Sequence, residues 1–550
     1  VKILLVQLLR LGDILMTAPI VSALKRKYPG VEIHFLGFRQ FSQVEELFSE
    51  KVHWHWLDRE GLQSALGDPD RSFFFAHDLL AENVAELKGL KFDRVFNLTQ
   101  TKLSGWLCSQ LNVEYTVGLH FDPRAQARFG SPWFQYLNDH MSAGRGEVFH
   151  YLDLFRFACE VEGEEIEWKF NREVPKQSLD EHPYILIQPL TSDTKKNYQM
   201  AKWRKAIEEF QLTTPGYHVG ILAAPSEVEL ISAAFENLPN ATILPCSLTE
   251  ALSLMDKANL LVTGDTSIKH LSCASLVPVI ELSLGSSDFQ RTGVYKTASW
   301  ILQGKTSCSP CMHSSACSQT THLCADQIPA EAIALAMNMM LTGMAHPKDI
   351  AKEFGPQMEW FETVASPMGF WLAKDVRATA TEWELLRVIE KSTWKFVLQQ
   401  QYHNPWAPFG TESLQIRKIF SDRFAEFGEG RWRDQLEFLE TEAVEADHNV
   451  SALLSSMRKL LEKPFDLSRQ EECLESVREF CEDQSETGST ILSWLPEFEK
   501  GLLPVEEKVV SLSHLRRLQA QLDEMNRRTQ IKLKLIRSLK SQVSGQIEEL

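Results

Sequence analysis

A chain of 550 residues exceeds what one hydrophobic core supports and calls for several domains. With 44% hydrophobic and 24% charged residues it has the composition of a folded globular protein, which excludes wholesale disorder. A formal net charge of -17 disfavours nucleic acid as the main partner.

The apolar run from Ile3 to Leu9 is interrupted by Arg10 and Asp13, so it reads as a buried strand, a turn and a helix, not as a signal peptide. No segment of the sequence approaches the roughly 18 apolar residues of a membrane span, and the expected location is cytoplasmic, at most peripheral to the inner membrane face. Strands are predicted at residues 2–7, 31–37, 52–57 and 92–98, with amphipathic stretches such as 17–27 and 79–87 between them. The pattern restarts at Tyr184, with strands at 184–190, 217–223, 241–245, 260–263 and 277–282 and helices at 201–210, 226–237 and 248–258. Such alternation predicts an α/β fold with parallel sheets covered by helices. Two Rossmann-like domains, residues 1–175 and 176–345, are expected to face each other across a cleft, with ligand outside the carboxyl ends of the strands.

Beyond residue 347 the strand signal fades, and seven of the fourteen tryptophans fall between Trp360 and Trp494. Residues 346–505 are therefore predicted as an all-α extension and residues 506–550 as a terminal amphipathic helix. That helix carries Leu515, Leu518, Leu522, Met525, Thr529, Ile536, Leu539 and Val543 at a and d spacing, but Lys532 breaks the seam. It either packs on its own chain or forms a short coiled coil for self-association or partner binding.

Three segments carry chemistry. In the first, Leu11-Gly12-Asp13 ends the first strand; Asp13 is either a helix cap or, pointing into the ligand crevice, a general base. In the second, Thr191, Ser192, Lys195 and Lys196 leave the first strand of the second series, a set suited to a diphosphate and equally to a solvated loop. In the third, Gly264-Asp265-Thr266-Ser267-Ile268-Lys269-His270 follows a strand and opens a short helix, either as a phosphate site or as a plain cap.

Together with Pro225-Ser226-Glu227, these segments resemble the heptosyltransferase-like glycosyltransferases (glycosyltransferase family 9) in order and spacing over roughly residues 1–335. The matching features are the Leu-Gly-Asp turn with Thr17 and Pro19, the Lys196-Asn197-Tyr198 step with Trp203, Glu227, and Asp265-Thr266 with His270. Ser267 stands where the family has Gly, and Tyr198 where it has Trp. The resemblance implies a GT-B type fold and an inverting transfer, without metal or other cofactor, from a nucleotide-sugar donor, typically ADP-heptose, to a lipid-linked glycan acceptor of the lipopolysaccharide core. It implies Asp13 as the base, with Gly12, Thr191, Ser192, Lys196, Glu227, Asp265, Thr266, Ser267 and His270 around the donor. A transferase for another sugar or acceptor, and an inactive sugar-nucleotide-binding scaffold with a partner-binding tail, are the alternatives.

Of the ten cysteines, Cys308, Cys311, Cys317 and Cys324 form C-x2-C-x5-C-x6-C. They are either ligands of a structural zinc or free or disulfide-bonded thiols.

Overall fold

The computed structural model describes residues 1–67, 73–140, 149–179, 182–343, 353–365, 371–375, 382–403, 429–462, 473, 475–477, 479 and 512–543. By their contacts the residues form two compact units: one of 1–138, 149–365 and 370–378, the other of 139–148, 366–369 and 379–550.

The first unit holds two sheets. One is all parallel, in the order β3-β2-β1-β4-β5, from β1 (Lys2–Val6), β2 (Glu32–Phe38), β3 (His53–Leu57), β4 (Arg94–Asn97) and β5 (Tyr115–Val117). A two-stranded hairpin, β6 (His120–Phe121) and β7 (Ala127–Arg128), follows. The second sheet runs β10-β9-β8-β11-β12-β13-β14-β15. Its strands are β8 (Tyr184–Gln188), β9 (His218–Ala223), β10 (Ala241–Pro245), β11 (Leu260–Gly264), β12 (Val279–Ser283), β13 (Trp300–Gly304), β14 (Met358–Ala365) and β15 (Trp371–Asp375). Central strands of both sheets are near-continuous apolar runs because helices cover both faces: Ile3 to Val6, and Ile185 to Ile187, are fully buried. In each sheet the strand order reverses beside its first strand, between β1 and β4 and between β8 and β11. That is where the carboxyl ends diverge and open a crevice.

The helices used below are α1 (Leu11–Leu15), α2 (Ala18–Lys27), α3 (Tyr151–Ala158), α4 (Met200–Thr213), α5 (Ser267–Leu271), α6 (Ala330–Thr342), α7 (Glu382–His403), α8 (Glu429–Glu462) and α9 (Leu512–Val543). Helix α3 ties the first half of this unit to the second. Its Asp153 accepts from the Tyr295 hydroxyl at 2.5 Å and from the Trp371 N–H at 2.9 Å, and His150, just before it, lies 2.9 Å from the Gly293 carbonyl.

The expectation of an all-helical chain after residue 347 is corrected: β14 and β15 pair antiparallel on the free edge of β13. Two of the tryptophans that pointed to a helical domain, Trp360 and Trp371, are strand residues. Trp360 meets Trp300 edge-on at 4.9 Å, Phe361 lies 4.7 Å from Phe289, and the Trp371 indole donates to the Val294 carbonyl at 3.0 Å. Large aromatic side chains pack well on a pleated surface, which favours this outcome.

The second unit contains α7, α8 and α9. The buried positions Leu436, Leu439, Ala443, Ala446, Val450 and Met457 of α8 share a helix–helix contact with Leu515, Leu518, Leu522, Met525, Ile536 and Leu539 of α9. Lys532, which breaks the heptad, is buried and pairs with Glu390 of α7 at 2.6 Å, while Arg528 lies 3.7 Å over the Trp394 ring. The terminal helix thus takes the first of its two readings, packing on its own chain. Residues 404–428, 463–472, 480–511 and 544–550 of the predicted extension lie outside the described residues. Among the described residues no helix is long and apolar enough to cross a membrane.

Candidate functional site

The two strand-order reversals bring the predicted segments together. Strand β1 delivers the chain into a turn at its carboxyl end, and Asp13, in the first turn of α1, accepts the Arg10 backbone N–H at 3.0 Å. The helix-cap role is therefore real, and it fixes the carboxylate in the crevice without excluding a chemical role. Burial, opposed by the Arg10 N–H and reinforced by the nearby Asp265, pushes the Asp13 carboxyl up to about 6. Lys196 and Arg10 pull the other way but do not restore the ordinary value.

Gly12 has a reason beyond turn chemistry. A Cβ there would come within 2.9 Å of the His270 ring, so the absence of a side chain lets α1 seat directly on α5 of the second sheet. His270 is buried, its Nδ1 makes no hydrogen bond, and burial followed by the Lys269 charge holds it well below the ordinary imidazole range.

Beneath the start of α5 runs a chain of alternating charge. Lys196 meets Asp265 at 2.5 Å, Asp265 also binds Lys269, Lys269 binds Glu281 at 2.9 Å, and Glu281 accepts the Val294 N–H at 2.8 Å. Burial alone would raise Asp265, but Lys269 and Lys196 overcome it and keep the carboxylate ionised far below its usual range. Glu281 is raised by burial, and Lys269 is raised because its two carboxylate partners outweigh its desolvation. Lys269 and Glu281 are fully buried and were not singled out in the sequence. The signals were a glutamate in the middle of the apolar strand Val279–Ser283 and a lysine four residues after Asp265.

Thr191 spends its hydroxyl locally, donating to the Asp193 carbonyl at 2.7 Å, and its N–H goes to the Asn197 side chain at 2.7 Å. This closes the loop and holds Lys196 over Asp265. Ser192 stands exposed at the loop tip. Thr266 caps α5, accepting from the Lys269 N–H at 3.4 Å, and Ser267 opens the helix without a left-handed backbone, so its conformation does not itself require glycine. Tyr198 is core: its hydroxyl donates to the Ile328 carbonyl at 2.7 Å and its ring packs on Trp203. Glu227 sits after β9, one strand from β8, and its carboxylate accepts the Ala224 N–H at 2.9 Å.

The lysine pair divides its work. Lys195 turns away from the crevice and donates to the carbonyls of Met312, His313 and Ser315 at 3.1, 2.9 and 2.6 Å, stapling the cysteine-bearing loop to the Thr191 loop. His322 contacts the Lys195 carbonyl at 2.7 Å, and the Cys311 N–H donates to Gly285 at 2.9 Å. The four cysteines are not assembled as a ligand set. Cys308, Cys311 and Cys324 lie near enough for their charges to interact, but Cys317 is exposed. Among the described residues no group of three or more His, Cys, Asp or Glu is arranged to hold a metal ion.

Residues 82–322 match the family model "Glycosyltransferase family 9 (heptosyltransferase)". The chain is 24% identical over 326 residues to lipopolysaccharide heptosyltransferase 1 of Pseudomonas aeruginosa, spanning 58% of this chain and 88% of that protein. It is 24% identical over 294 residues to lipopolysaccharide heptosyltransferase 3 of Escherichia coli, spanning 50% and 81%. Among solved structures it is similar to a family 9 glycosyl transferase from Veillonella parvula, with TM-score 0.46, 18% identity and coverage of 62% of this chain and 97% of that one. An Escherichia coli heptosyltransferase solved with ADP gives TM-score 0.44, 17% identity, 62% and 100%.

Proposed function

We propose that the crevice between the two sheets transfers heptose from ADP-heptose to a lipopolysaccharide-core or related lipid-linked glycan, a reading supported by the match of residues 82–322 to the family 9 glycosyltransferase model. The reading rests on one juxtaposition: Asp13, pushed up to about 6, stands within electrostatic reach of Lys196 and of Asp265, which is held ionised. A base working near neutrality needs a pKa raised toward the working pH, which Asp13 has. A leaving diphosphate needs fixed positive charge that is already ordered before the bond breaks, and Lys196 has it, oriented by Asp265.

In this reading the Asp13 carboxylate takes the proton of the acceptor hydroxyl as that oxygen attacks the anomeric carbon from the face opposite the leaving group. The configuration therefore inverts. Negative charge grows on the departing diphosphate, and Lys196, with the hydroxyls of Ser192, Thr266 and Ser267, stabilises it more than it stabilises the ground state, while Thr191 shapes the loop that holds Lys196. Lysine supplies the counter-charge that a divalent cation supplies elsewhere, so the transfer is assigned no metal. His270 and Gly12 close the sugar side, and Glu227 lies toward the nucleoside. The enzyme is assigned to the cytoplasmic face of the membrane that bears the acceptor.

A thermal-shift screen with ADP-, UDP- and GDP-sugars tests the donor, because a ligand that binds only the native state raises its melting temperature. ADP-heptose giving the largest shift is the expected result. A larger shift with a UDP- or GDP-sugar would replace the donor, and none with any of them would overturn both the transferase reading and the sugar-nucleotide-binding scaffold.

A further inference from the structure

His313 belongs to the loop that Lys195 staples down, and it spans the reversal point of the second sheet. Its Nδ1 lies 3.0 Å from the Ser286 hydroxyl, in the loop after β12, and 3.8 Å from Asp193, in the loop after β8. Strand β11 lies between β8 and β12, so an imidazole engaged with both flanking loops stands across the mouth of the β11–α5 turn. Its electrostatic neighbours are Arg10 from the first sheet and Lys195, Lys196 and Asp193 from the second. The ring is half exposed.

The proton positions follow from the partners. Asp193 is held below the usual carboxylate range: the Lys195 N–H and the Ser286 hydroxyl outweigh its burial, so it stays ionised and can only accept. The single Ser286 hydroxyl proton therefore goes to Asp193, at 3.1 Å. The Ser286 oxygen must then accept from His313, which places a proton on Nδ1; burial and the Arg10 and Lys196 charges hold the imidazole below its ordinary range, so the ring is neutral and Nε2 keeps a lone pair. Such a nitrogen accepts from a hydroxyl, whereas an unprotonated phosphate oxygen has nothing to give it.

We propose that His313 Nε2 accepts a hydrogen bond from a hydroxyl of the donor's glycosyl unit, with Asp193 and Ser286 as positioning residues that fix the ring's tautomer. The assignment rests on the transferase reading and deepens it: His313 becomes a specificity residue for the transferred sugar, between Lys196 on the diphosphate side and Arg10 on the acceptor side. A site built to receive a hydroxyl discriminates against sugars that lack it or turn it away.

The test compares ADP, which has no glycosyl unit, with ADP-heptose. Binding of both to the wild-type protein and to His313→Ala, His313→Gln and Ser286→Ala is measured by calorimetry, with melting temperatures recorded alongside. His313→Ala should weaken ADP-heptose about tenfold, the worth of one net hydrogen bond, and leave ADP within about twofold. The Gln variant keeps an acceptor oxygen and should recover to within about threefold; Ser286→Ala should weaken ADP-heptose about threefold and spare ADP. Equal weakening of both ligands would move His313 to the diphosphate and overturn the proposal, as would unchanged binding of both. A wild-type protein that binds neither ADP nor ADP-heptose would remove the donor assignment and this inference together, an outcome separate from the first two.

Discussion

Asp13 and Asp265 occupy equivalent places, each at the carboxyl end of a strand where its sheet reverses order, and each opens a short helix. Their surroundings drive them apart. Asp13 has one backbone N–H and a second carboxylate nearby, so desolvation dominates and its proton is held up to about pH 6. Asp265 is gripped by two lysines and stays ionised under all ordinary conditions. The first sheet therefore offers a carboxyl that titrates near neutrality, and the second a charge lattice in which two lysines hold a carboxylate ionised. The proposed transfer would use both, the first at the acceptor hydroxyl and the second beside the charged leaving group.

The largest effect should come from removing the group that titrates. Asp13→Asn should lower turnover by about 10²–10⁴-fold, the range of a positioned base, while ADP-heptose affinity stays within about threefold. Turnover and donor binding measured separately check this, and unchanged turnover would return Asp13 to a pure helix cap. Next in size is the lattice: Lys269→Met leaves Glu281 and Asp265 buried without their shared cation. It should cost about 3–5 kcal/mol in urea unfolding. A loss under about 1 kcal/mol would show that the lattice is better solvated than its burial implies.

Gly12→Ala tests the seating of the two sites on each other. The new Cβ would press on the His270 ring and should cost about 1–3 kcal/mol, with the greater functional loss in transfer and not in ADP binding. A fully stable and active variant would mean that the α1–α5 contact is loose.

The smallest effect concerns pH. A carboxyl raised in the folded state binds protons more readily there than in the unfolded chain. Stability from this group is therefore full below the unfolded value of about 4 and falls as pH rises through about 6. Asp13 is partly exposed, so the difference between wild type and Asp13→Asn across that window should be only on the order of 1 kcal/mol after allowance for solvent screening. Melting curves of the two proteins from pH 4 to 7 should converge at the acid end, and parallel curves would contradict the shift.

Much of this was legible in the chain. Apolar runs bounded by turn residues marked β1, β2, β3, β4 and all six parallel strands of the second sheet except β13, and the turns after β1, β8 and β11 carried the polar residues that the fold brings together. The misses have physical causes. Strands β14 and β15 lack the flanking helical pattern of a β-α-β unit, and their aromatic content matched a packed helix equally well. Lys269 resembled an ordinary exposed charge, since one-dimensional spacing does not reveal that Asp265 and the mid-strand Glu281 share its ammonium in the interior. The roles of Lys195 and His313 depend on a loop more than a hundred residues downstream folding back over the Thr191 segment. Local composition carries no trace of such a return.

Lys532 has one more consequence. Most of the apolar positions of α9 are interchangeable from turn to turn: sliding the helix by one heptad against α7 and α8 would still place leucines and isoleucines opposite apolar partners. The lysine is not interchangeable, because only one alignment puts its ammonium beside Glu390. A slipped arrangement separates this buried lysine from Glu390, at a cost on the order of a few kcal/mol. The residue that looks like a flaw in the repeat thus works as an index mark, selecting one axial alignment of the bundle by making its competitors too costly to populate.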